Sequence, residues 1–388
     1  MKMKIKIITV ITNRASYGRL RPFLLELEKS EFFENIIIST ASMNIYRFGN
    51  AVSILKDDGY KDIRILSNSI EGDSQQNASK IAALMMIELS TIFNHEKPNY
   101  VVSFADRYET LATSVAATYQ KIPLVHIQGG EISGNIDDRV RNANSKLADI
   151  HFVTTEKSML RLLNMLEDPE YIFNVGCTSV ETINKIKFDK ESICKKLKHS
   201  GIGKLNSEEK YILVLQHPET TAKIEPREQI KATINAINDI KLKKVVLWPN
   251  IDSGTDEFSK YLREECMNKD DFFMIRNMPV HEYIQLMYFS EYMVGNSSSL
   301  IREAAILGKR SVLVGSRQKN REHDENVIFC DYDSEQIKNT IKALTFDNIN
   351  KSRKYGNGDS SKKMIEILIE RASDDFSFKK TILNYKNE

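Results

Sequence analysis

The sequence has few cysteines, and their spacing excludes the common structural zinc sites. Its 388 residues include four, at Cys177, Cys194, Cys266 and Cys330, and no two of them form a CxxC pair. Zinc ligands in small structural sites usually come in such closely spaced pairs. We therefore expect free thiols, as in a reducing compartment, and no metal.

Long apolar runs are absent too. No stretch approaches the roughly 20 apolar residues of a membrane span. Met1–Lys4 leads straight into a strand-like run, without the apolar core of a signal peptide. The sequence therefore predicts a cytoplasmic protein with no membrane partner.

Charge of neither sign dominates the chain. Lys and Arg number 55 against 53 Asp and Glu, which gives a formal net charge of +2. Because no run of like charges is long enough for a nucleic-acid-binding arm, no nucleic-acid partner is expected. Binding of a phosphate group needs only local charge and stays open.

Three widespread ligand-binding and catalytic motifs are also missing. The sequence contains no G-x-G-x-x-G motif, no Walker A motif and no G-x-S-x-G motif. Dinucleotide-binding, P-loop and serine-hydrolase interpretations therefore have little support.

What the sequence does contain is a regular alternation of strand-like and helix-like segments. Lys4–Thr12 is rich in β-branched residues, as in a strand buried on both faces. The alternation predicts an α/β protein with parallel sheets and crossover helices. Near 185–210 the pattern becomes charged and loses its period. Together with the length, this predicts two domains, 1–185 and 186–359, followed by a last helix from about Ser360.

The most informative stretch is His126–Arg141, which follows a predicted strand at Ile122–Val125. Its glycines allow tight turns and close approach of the backbone to a ligand. A helix that starts near Asp137 would place Asp137 and Arg141 one turn apart on the same face. Ligands of open α/β sheets bind at the carboxyl ends of such strands. A capped loop with a surface ion pair explains the same pattern equally well.

Polar residues end other predicted strands as well. Asp106 and Arg107 follow one strand, where Asp106 is either a helix N-cap or a general acid/base. Arg14 lies at the start of the first predicted helix, a position that suits a phosphate group. His217 ends a strand in the second half, where a structural role and donation to a phosphate are evenly matched.

A run of small polar residues, Gly295–Ser299, follows a further predicted strand and opens a helix. Its N–H groups and hydroxyls suit a phosphate, because capping alone needs only one such residue. Glu303 in that helix could accept from two ribose hydroxyls or could be an exposed helical glutamate. Arg317, at another strand end, is a phosphate ligand or a surface charge.

Taken in order, these segments resemble the hydrolysing UDP-N-acetylglucosamine 2-epimerases. That family includes bacterial enzymes of sialic- and legionaminic-acid synthesis and the epimerase half of an animal bifunctional epimerase/kinase. The likeness extends from about Lys4 to Gly356. The matching strings are Asn13-Arg14-Ala15 with Tyr17, Asp106-Arg107, His126-Ile127, Gly129-Gly130-Glu131, Ser133-Gly134, Ile136-Asp137-Asp138, Gln216-His217-Pro218, Pro249-Asn250-Ile251-Asp252 with Gly254, Gly295-Asn296-Ser297-Ser298, Arg302-Glu303 and Arg317-Gln318.

The resemblance implies a GT-B-like fold, in which two Rossmann-like domains with parallel sheets face a central cleft. A C-terminal helix, about 360–388, would rejoin the first domain. The second domain would hold most of a nucleotide-sugar substrate's nucleotide. The residues implied to bind the nucleotide are Arg14, Arg107, His217, Asn250, Met278, Tyr283, Ser297, Ser298, Glu303 and Arg317.

Individual roles follow from the same resemblance. Ser297 and Ser298 would hold the phosphates, and Glu303 the ribose. Met278 and Tyr283 would flank the base. The residues implied to act on the sugar or its leaving group are Asp106, His126, Glu131, Asp137, Arg141 and His217.

The implied reaction eliminates the nucleoside diphosphate across carbons 1 and 2 to give a glycal. Water then adds to give the free 2-epimer, with no metal or other cofactor. Departure of the diphosphate leaves positive character at carbon 1, which acidifies the proton on carbon 2. Asp106 or Asp137 could then remove that proton, and the other could serve the hydration step. Which carboxylate does which is left open.

Three positions depart from the family pattern. Relatives often carry Asp at the position of Ser16, some carry Glu at that of Gln128, and many carry His at that of Asn142. Because two carboxylates are therefore absent, the remaining ones must do more of the chemistry, or the substrate differs.

Several alternatives stay open at this level. They are a non-hydrolysing nucleotide-sugar 2-epimerase, a GT-B glycosyltransferase and a non-catalytic nucleotide-sugar sensor. The nucleotide could be UDP or GDP, and the sugar N-acetylglucosamine or a 4-acetamido-6-deoxy relative such as diacetylbacillosamine. A product of the N-acetylmannosamine type would supply sialic-type acid synthesis. The resemblance also leads us to expect a homodimer or homotetramer.

Overall fold

The computed structural model divides the chain into two compact units. It describes residues 4–45, 51–68, 70, 75–134, 136–197, 201–202, 204–219, 222–249, 255–267, 269–275, 278–344, 349–374 and 376. Unit 1 comprises the described residues of Met1–Ile132, Ile136–Glu181 and Lys354–Glu388, and unit 2 those of Ser133–Asn135 and Thr182–Arg353. The sequence predicts the corresponding domain boundaries near 185 and 360.

Unit 1 is an α/β unit built on a parallel sheet. Its strands are β1 (Ile5–Ile11), β2 (Phe33–Ser39), β3 (Asp62–Ile65), β4 (Tyr100–Phe104), β5 (Leu124–Ile127), β6 (Ile150–Val153) and β7 (Ile172–Asn174). Its helices are α1 (Arg14–Lys29), α2 (Ala51–Asp57), α3 (Gln75–Glu96), α4 (Tyr108–Tyr119), α5 (Asp137–Leu147), α6 (Glu156–Asn164), α7 (Thr178–Asn184), which runs on into unit 2, and α14 (Ser360–Glu370). The seven strands lie in the order β3-β2-β1-β4-β5-β6-β7, and every neighbouring pair is parallel. This is the strand order of doubly wound sheets.

The apolar run of β1 is buried on both faces of the sheet, as its sequence predicts. Ile7 and Ile11 belong to one hydrophobic cluster, and Ile8 and Val10 to another. Alternate side chains of a strand point to opposite faces, so the two clusters lie on the two sides of the sheet. Helices α1 and α14 contribute to the first cluster, and α3 and α4 to the second.

Unit 2 repeats the architecture with its own sheet. Its strands are β8 (Gly201–Ile202), β9 (Tyr211–Leu215), β10 (Lys243–Leu247), β11 (Phe272–Ile275), β12 (Met293–Gly295), β13 (Ser311–Val314) and β14 (Val327–Cys330). Its helices are α8 (Lys190–Leu197), α9 (Pro226–Asn238), α10 (Thr255–Cys266), α11 (Val280–Phe289), α12 (Arg302–Leu307) and α13 (Ser334–Ala343). The order is β14-β13-β12-β9-β10-β11-β8, with only β8 antiparallel to its neighbour. The predicted α/β class with two parallel sheets is confirmed.

Some boundaries differ from the sequence-based expectation. The strand predicted at Ile122–Val125 is β5, which starts two residues later, at Leu124. Pro123 has no N–H to donate, although its carbonyl oxygen accepts from Val101 N at 3.0 Å. The short strands β8 and β14 were not expected from the sequence.

None of the helices among the described residues combines the length and apolar character needed to cross a membrane.

Candidate active site

The candidate residues of unit 1 gather at one edge of its sheet. Strands β1, β4 and β5 are parallel neighbours, so their carboxyl ends lie at the same edge. Arg14 follows β1, Asp106 and Arg107 follow β4, and Glu131 follows β5. This is the edge at which open α/β sheets bind ligands.

Arg141 joins acidic groups at this edge. It lies on α5, which begins at Asp137 as the sequence predicts, and it is only 1% exposed. Its guanidinium donates to the carboxylates of Asp106 and Asp138 and, at 2.7 Å, to the carbonyl oxygen of Glu131. Such charge-assisted bonds are strong and directional, so Arg141 fixes where both carboxylates point.

Asp106 does not cap the helix that follows it. Helix α4 begins at Tyr108, and the residue at its N-cap position is Arg107. The Arg107 guanidinium pairs instead with the fully buried carboxylate of Glu109, at 3.1 Å. The N-cap interpretation of Asp106 is therefore wrong, and the side chain stays partly exposed beside Arg141.

Two non-glycine residues of this edge have a left-handed backbone. Ala105, at the end of β4, has φ 63°, and Gln128, at the end of β5, has φ 68°. Such conformations cost roughly 1–3 kcal/mol each and tend to persist at functional sites. Gln128 is buried, and its side-chain oxygen accepts from Arg19 at 3.4 Å.

His126 is fully buried within β5. Its Nε2 lies 2.9 Å from the carbonyl oxygen of Ala105, and its Nδ1 lies 3.0 Å from the hydroxyl oxygen of Ser145. Because a carbonyl oxygen only accepts, Nε2 carries a proton. Both ring nitrogens thus bond to the protein, which favours a positioning role for His126 over direct contact with a sugar.

Glu131 and Asp137 lie on the loop after β5 and at the start of α5. The Glu131 side chain accepts from the Thr154 hydroxyl at 2.8 Å. Asp137 is in the first turn of α5 and is partly exposed. The helix dipole favours a carboxylate at this position.

The start of α1 is capped by protein. Asn13 is the N-cap, and its side chain accepts from Ser16 N at 2.9 Å. One of the backbone donors expected to serve a phosphate is thus used within the chain. Arg14, the first helical residue, is partly exposed.

In unit 2, Asn296 clamps the backbone of His217. The Asn296 side-chain oxygen accepts from His217 N, and its amide donates to the carbonyl oxygen of His217, each at 2.8 Å. Both residues are buried and follow the neighbouring strands β12 and β9. The pair fixes the backbone at the carboxyl end of β9.

Gly295 allows the approach of these two strands. Its φ is 145°, and a Cβ there would lie 1.9 Å from the carbonyl oxygen of Leu215. After it, Ser298–Leu300 forms a 3₁₀ turn, and α12 begins only at Arg302. The predicted helix therefore starts later than expected.

The serine hydroxyls of this turn do not cap it. Ser297 is at the N-cap position but makes no side-chain capping bond. Its hydroxyl lies 3.0 Å from that of Ser299, which in turn bonds the hydroxyl of Tyr283 at 2.5 Å. The plain capping interpretation is therefore wrong for Ser297.

Of the other candidate nucleotide ligands in unit 2, Glu303 is in the first turn of α12 and only 6% exposed. It is therefore not the exposed glutamate that the sequence left as an alternative. Tyr283, on α11, and Met278 are partly exposed. Ser298, another candidate, is also partly exposed. Asn250 lies outside the described residues.

Glu219, which the sequence did not single out, binds the segments that follow β13 and β14. Its buried carboxylate accepts from Ser316 N at 3.0 Å, from the Ser316 hydroxyl and from the Tyr332 hydroxyl at 2.8 Å. Burial, and secondarily the charge of Glu219, raises the pKa of Tyr332 well above its usual value. Arg317, the next residue after Ser316, donates to the carbonyl oxygen of Asn296 at 3.5 Å.

The described candidate residues thus fall into two groups, one in each unit. The unit 1 group is Arg14, Asp106, Arg107, His126, Glu131, Asp137 and Arg141, and the unit 2 group is His217, Met278, Tyr283, Ser297, Ser298, Glu303 and Arg317. Among the described residues, no three His, Cys, Asp or Glu side chains are placed to bind a metal ion.

Comparison with known proteins finds relatives along almost the whole chain. A family model described as UDP-N-acetylglucosamine 2-epimerase matches residues 25–369. The chain is 32% identical over 364 residues to the UDP-N,N'-diacetylbacillosamine 2-epimerase (hydrolyzing) of Legionella pneumophila, across 94% of this chain and 95% of that protein. It is 26% identical over 367 residues to the UDP-N-acetylglucosamine 2-epimerase of Neisseria meningitidis, across 94% of each.

A solved structure shares the fold. The crystal structure of UDP-GlcNAc 2-epimerase from Neisseria meningitidis bound to UDP-GlcNAc superposes with a TM-score of 0.80 at 20% identity. The match covers 94% of this chain and 100% of that chain. The predicted GT-B-like fold class is thereby confirmed.

Proposed function

Since this chain belongs to the UDP-N-acetylglucosamine 2-epimerase family, we propose that it is a 2-epimerase of the hydrolysing type. It converts a UDP-linked N-acetylhexosamine to the free 2-epimer and UDP. The observation that carries the proposal is the 32% identity, along almost the whole chain, to a relative named as hydrolysing. The sugar is N-acetylglucosamine or a 4-acetamido-6-deoxy relative, and the product feeds the synthesis of sialic-type acids.

The reaction proceeds by elimination and then hydration. The bond between carbon 1 and the diphosphate oxygen breaks first, and its electron pair leaves with UDP. A carboxylate takes the proton from carbon 2, and a glycal results. Water then adds, with its oxygen on carbon 1 and a proton returned to carbon 2 from the opposite side.

The two groups of residues have different roles in this proposal. In unit 2, the Ser297–Ser298 turn, His217 and Arg317 hold the diphosphate and stabilise its charge as it leaves. Donors that are already fixed in place contribute most to such stabilisation. The Asn296 clamp and the Glu219 bonds support this role, because they fix the strand ends that carry His217 and Arg317.

In unit 1, Asp106 and Asp137 are the candidate proton carriers. The contact that supports Asp106 is its bond with buried Arg141, which orients the carboxylate. Glu303 and Tyr283 complete the nucleotide site through the ribose and the base.

A non-hydrolysing epimerase is the second candidate function. The observation in its favour is that the Neisseria relative is named a UDP-N-acetylglucosamine 2-epimerase without that qualification. The two functions differ in whether the product stays attached to the nucleotide.

Product analysis in heavy water tests the proposal. UDP-N-acetylglucosamine, UDP-diacetylbacillosamine and their GDP counterparts are each incubated with the protein, and products are identified by NMR. We expect one free sugar with inverted carbon 2, deuterium at that carbon, and one UDP per sugar. A nucleotide-linked epimer would indicate the non-hydrolysing reaction. Turnover only with an added acceptor would indicate a glycosyltransferase, and binding without turnover a sensor.

A further inference from the structure

The turn Ala105–Arg107 carries the proposed acid/base Asp106 on a strained backbone. Ala105 has φ 63°, a conformation that an alanine adopts at an energetic cost. A turn of this kind keeps its geometry only when surrounding groups hold it. The holding groups therefore help to determine where the Asp106 carboxylate points.

The Ala105 carbonyl is held from α5 through His126. Ser145 Oγ lies 3.0 Å from His126 Nδ1, and His126 Nε2 donates to the Ala105 oxygen at 2.9 Å. In the neutral imidazole, Nδ1 is then the acceptor, so the Ser145 hydroxyl donates to it. The side chains of Ser145 and His126, which form this hydrogen-bonded relay to the Ala105 carbonyl, are both fully buried.

The other end of the turn is held from α5 through Thr110. Asn144 Nδ2 donates to Thr110 Oγ1 at 2.7 Å, and the Thr110 hydroxyl donates to the carbonyl oxygen of Arg107 at 2.6 Å. Both links are buried, although the Asn144 side-chain oxygen has no hydrogen-bond partner among the described residues. Breaking either link would leave a further buried polar group unpaired, which is costly.

The middle residue of the turn is held by α5 directly. Arg141 donates to the Asp106 carboxylate. Arg141, Asn144 and Ser145 form the buried face of α5, spaced three and four residues apart as neighbours on a helix are. One helix face thus holds three consecutive residues of the turn.

We infer that Ser145 and Asn144 are positioning residues for the epimerase reaction, acting on the Ala105–Arg107 turn through His126 and Thr110. The inference rests on the proposed function, since it assigns Asp106 to the chemistry. Neither side chain contacts the substrate in this assignment. Their effect is therefore on the chemical step, and nucleotide affinity should change little, because most of the proposed nucleotide-binding residues lie in unit 2.

The test compares substitutions on α5 and α4 that each remove a hydrogen-bonding side-chain group. Ser145→Ala removes the hydroxyl that supports His126, and Asn144→Ala removes the second relay. Ser114→Ala is the matched control, because Ser114 is also a fully buried helical serine, and its hydroxyl bonds the Thr110 carbonyl oxygen at 3.0 Å and not the turn. For each variant, kcat, KM, the UDP dissociation constant and the thermal unfolding midpoint are measured.

We expect Ser145→Ala and Asn144→Ala each to lower kcat by about tenfold or more, as when a catalytic group is misdirected. KM and the UDP dissociation constant should stay within about twofold of the wild type. Ser114→Ala should keep kcat within about twofold, and Ser145→Thr, which retains the hydroxyl, should recover most of the loss. If Ser145→Ala does not fold, Asn144→Ala and Ser145→Thr decide the question.

The inference is overturned if the α5 variants keep wild-type kcat, if Ser114→Ala loses as much, or if UDP affinity falls in parallel with kcat. If the wild-type protein turns over none of the nucleotide sugars, the proposed function fails instead. The two failures are thus distinguishable.

Discussion

At the residue scale, the guanidinium of Arg141 orients the acidic side chains of the unit 1 site. Arg141 bonds the carboxylates of Asp106 and Asp138 and is almost completely buried. These charge-assisted bonds hold both carboxylates in fixed directions. Asp137 begins the same helix, where the helix dipole stabilises a nearby negative charge.

We therefore predict that Asp137→Asn lowers turnover by about a hundredfold or more, because the amide can neither take nor return a proton. UDP affinity, measured by calorimetry, should be unchanged, since Asp137 is not among the proposed nucleotide-binding residues. Asp57→Asn is the charge-matched control, as Asp57 is an exposed acid at the end of α2. Near-normal turnover of Asp137→Asn would remove this residue from the chemistry.

The residues proposed to contact the substrate are easier to predict from sequence than the residues that hold them in place. Asp106, Arg107 and His217 are visible because they follow strand-like runs. Glu219 follows the same run as His217, but the sequence does not indicate its bonds to Ser316 and Tyr332, which join segments that are distant in sequence.

The sequence could have indicated that Ser145 lies beside Arg141. It stands four residues after Arg141, on the same face of α5, and that face is buried. Its bond with His126 could not be predicted from sequence, because that bond depends on the packing of α5 against β5.

At the element scale, the C-terminal end of α3 is tied to two strands of the sheet. Glu96 accepts from Arg64 on β3 at 2.6 Å and from Lys6 on β1 at 3.0 Å. The Arg64 hydrogen bond is the largest cause that lowers the pKa of Glu96 to about 2. Because this pKa is depressed in the folded state, the stabilisation is complete above the ordinary value of 4.5 and is lost as the pH falls toward about 2.

We predict that Glu96→Gln lowers the urea midpoint of unfolding at pH 7, and that the difference from wild type narrows at pH 3. At the lower pH the unfolded wild-type chain binds a proton at Glu96, which removes part of the advantage. Glu34→Gln is the control, because Glu34 is 3.4 Å from Lys6 but half exposed, and such pairs contribute little. An equal difference at both pH values would contradict this account.

Elements were predictable where the apolar pattern is long and continuous, as in β1 and β9. Where the sequence pattern was weak, the prediction failed. The two residues of β8 are too few to show the alternation of a strand. The run before β5 is apolar from Ile122 onward, but β5 begins only at Leu124, after Pro123. The late start of α12 has a different origin, the 3₁₀ turn at Ser298–Leu300.

At the scale of the whole molecule, the chain returns to unit 1 after completing unit 2. Met364 and Leu368 of α14 lie in the same hydrophobic cluster as Phe23 and Leu24 of α1, and both are essentially unexposed. Tyr100 on β4 also donates to the backbone oxygen of Leu368, at 3.2 Å. Unit 1 therefore needs residues from both ends of the chain, whereas unit 2 is almost continuous in sequence.

We predict that Leu368→Ala destabilises unit 1 by about 2–5 kcal/mol, since it leaves a cavity in a closed core. Hydrogen exchange should become faster in α1, β1 and α14, while peptides of unit 2 keep their protection and UDP affinity stays within about twofold. Glu366→Ala is the matched control on the same helix, because Glu366 is exposed and should leave exchange unchanged. Equal acceleration in both units would mean that they unfold together, and that the return of the chain stabilises the whole molecule rather than the unit that α14 joins.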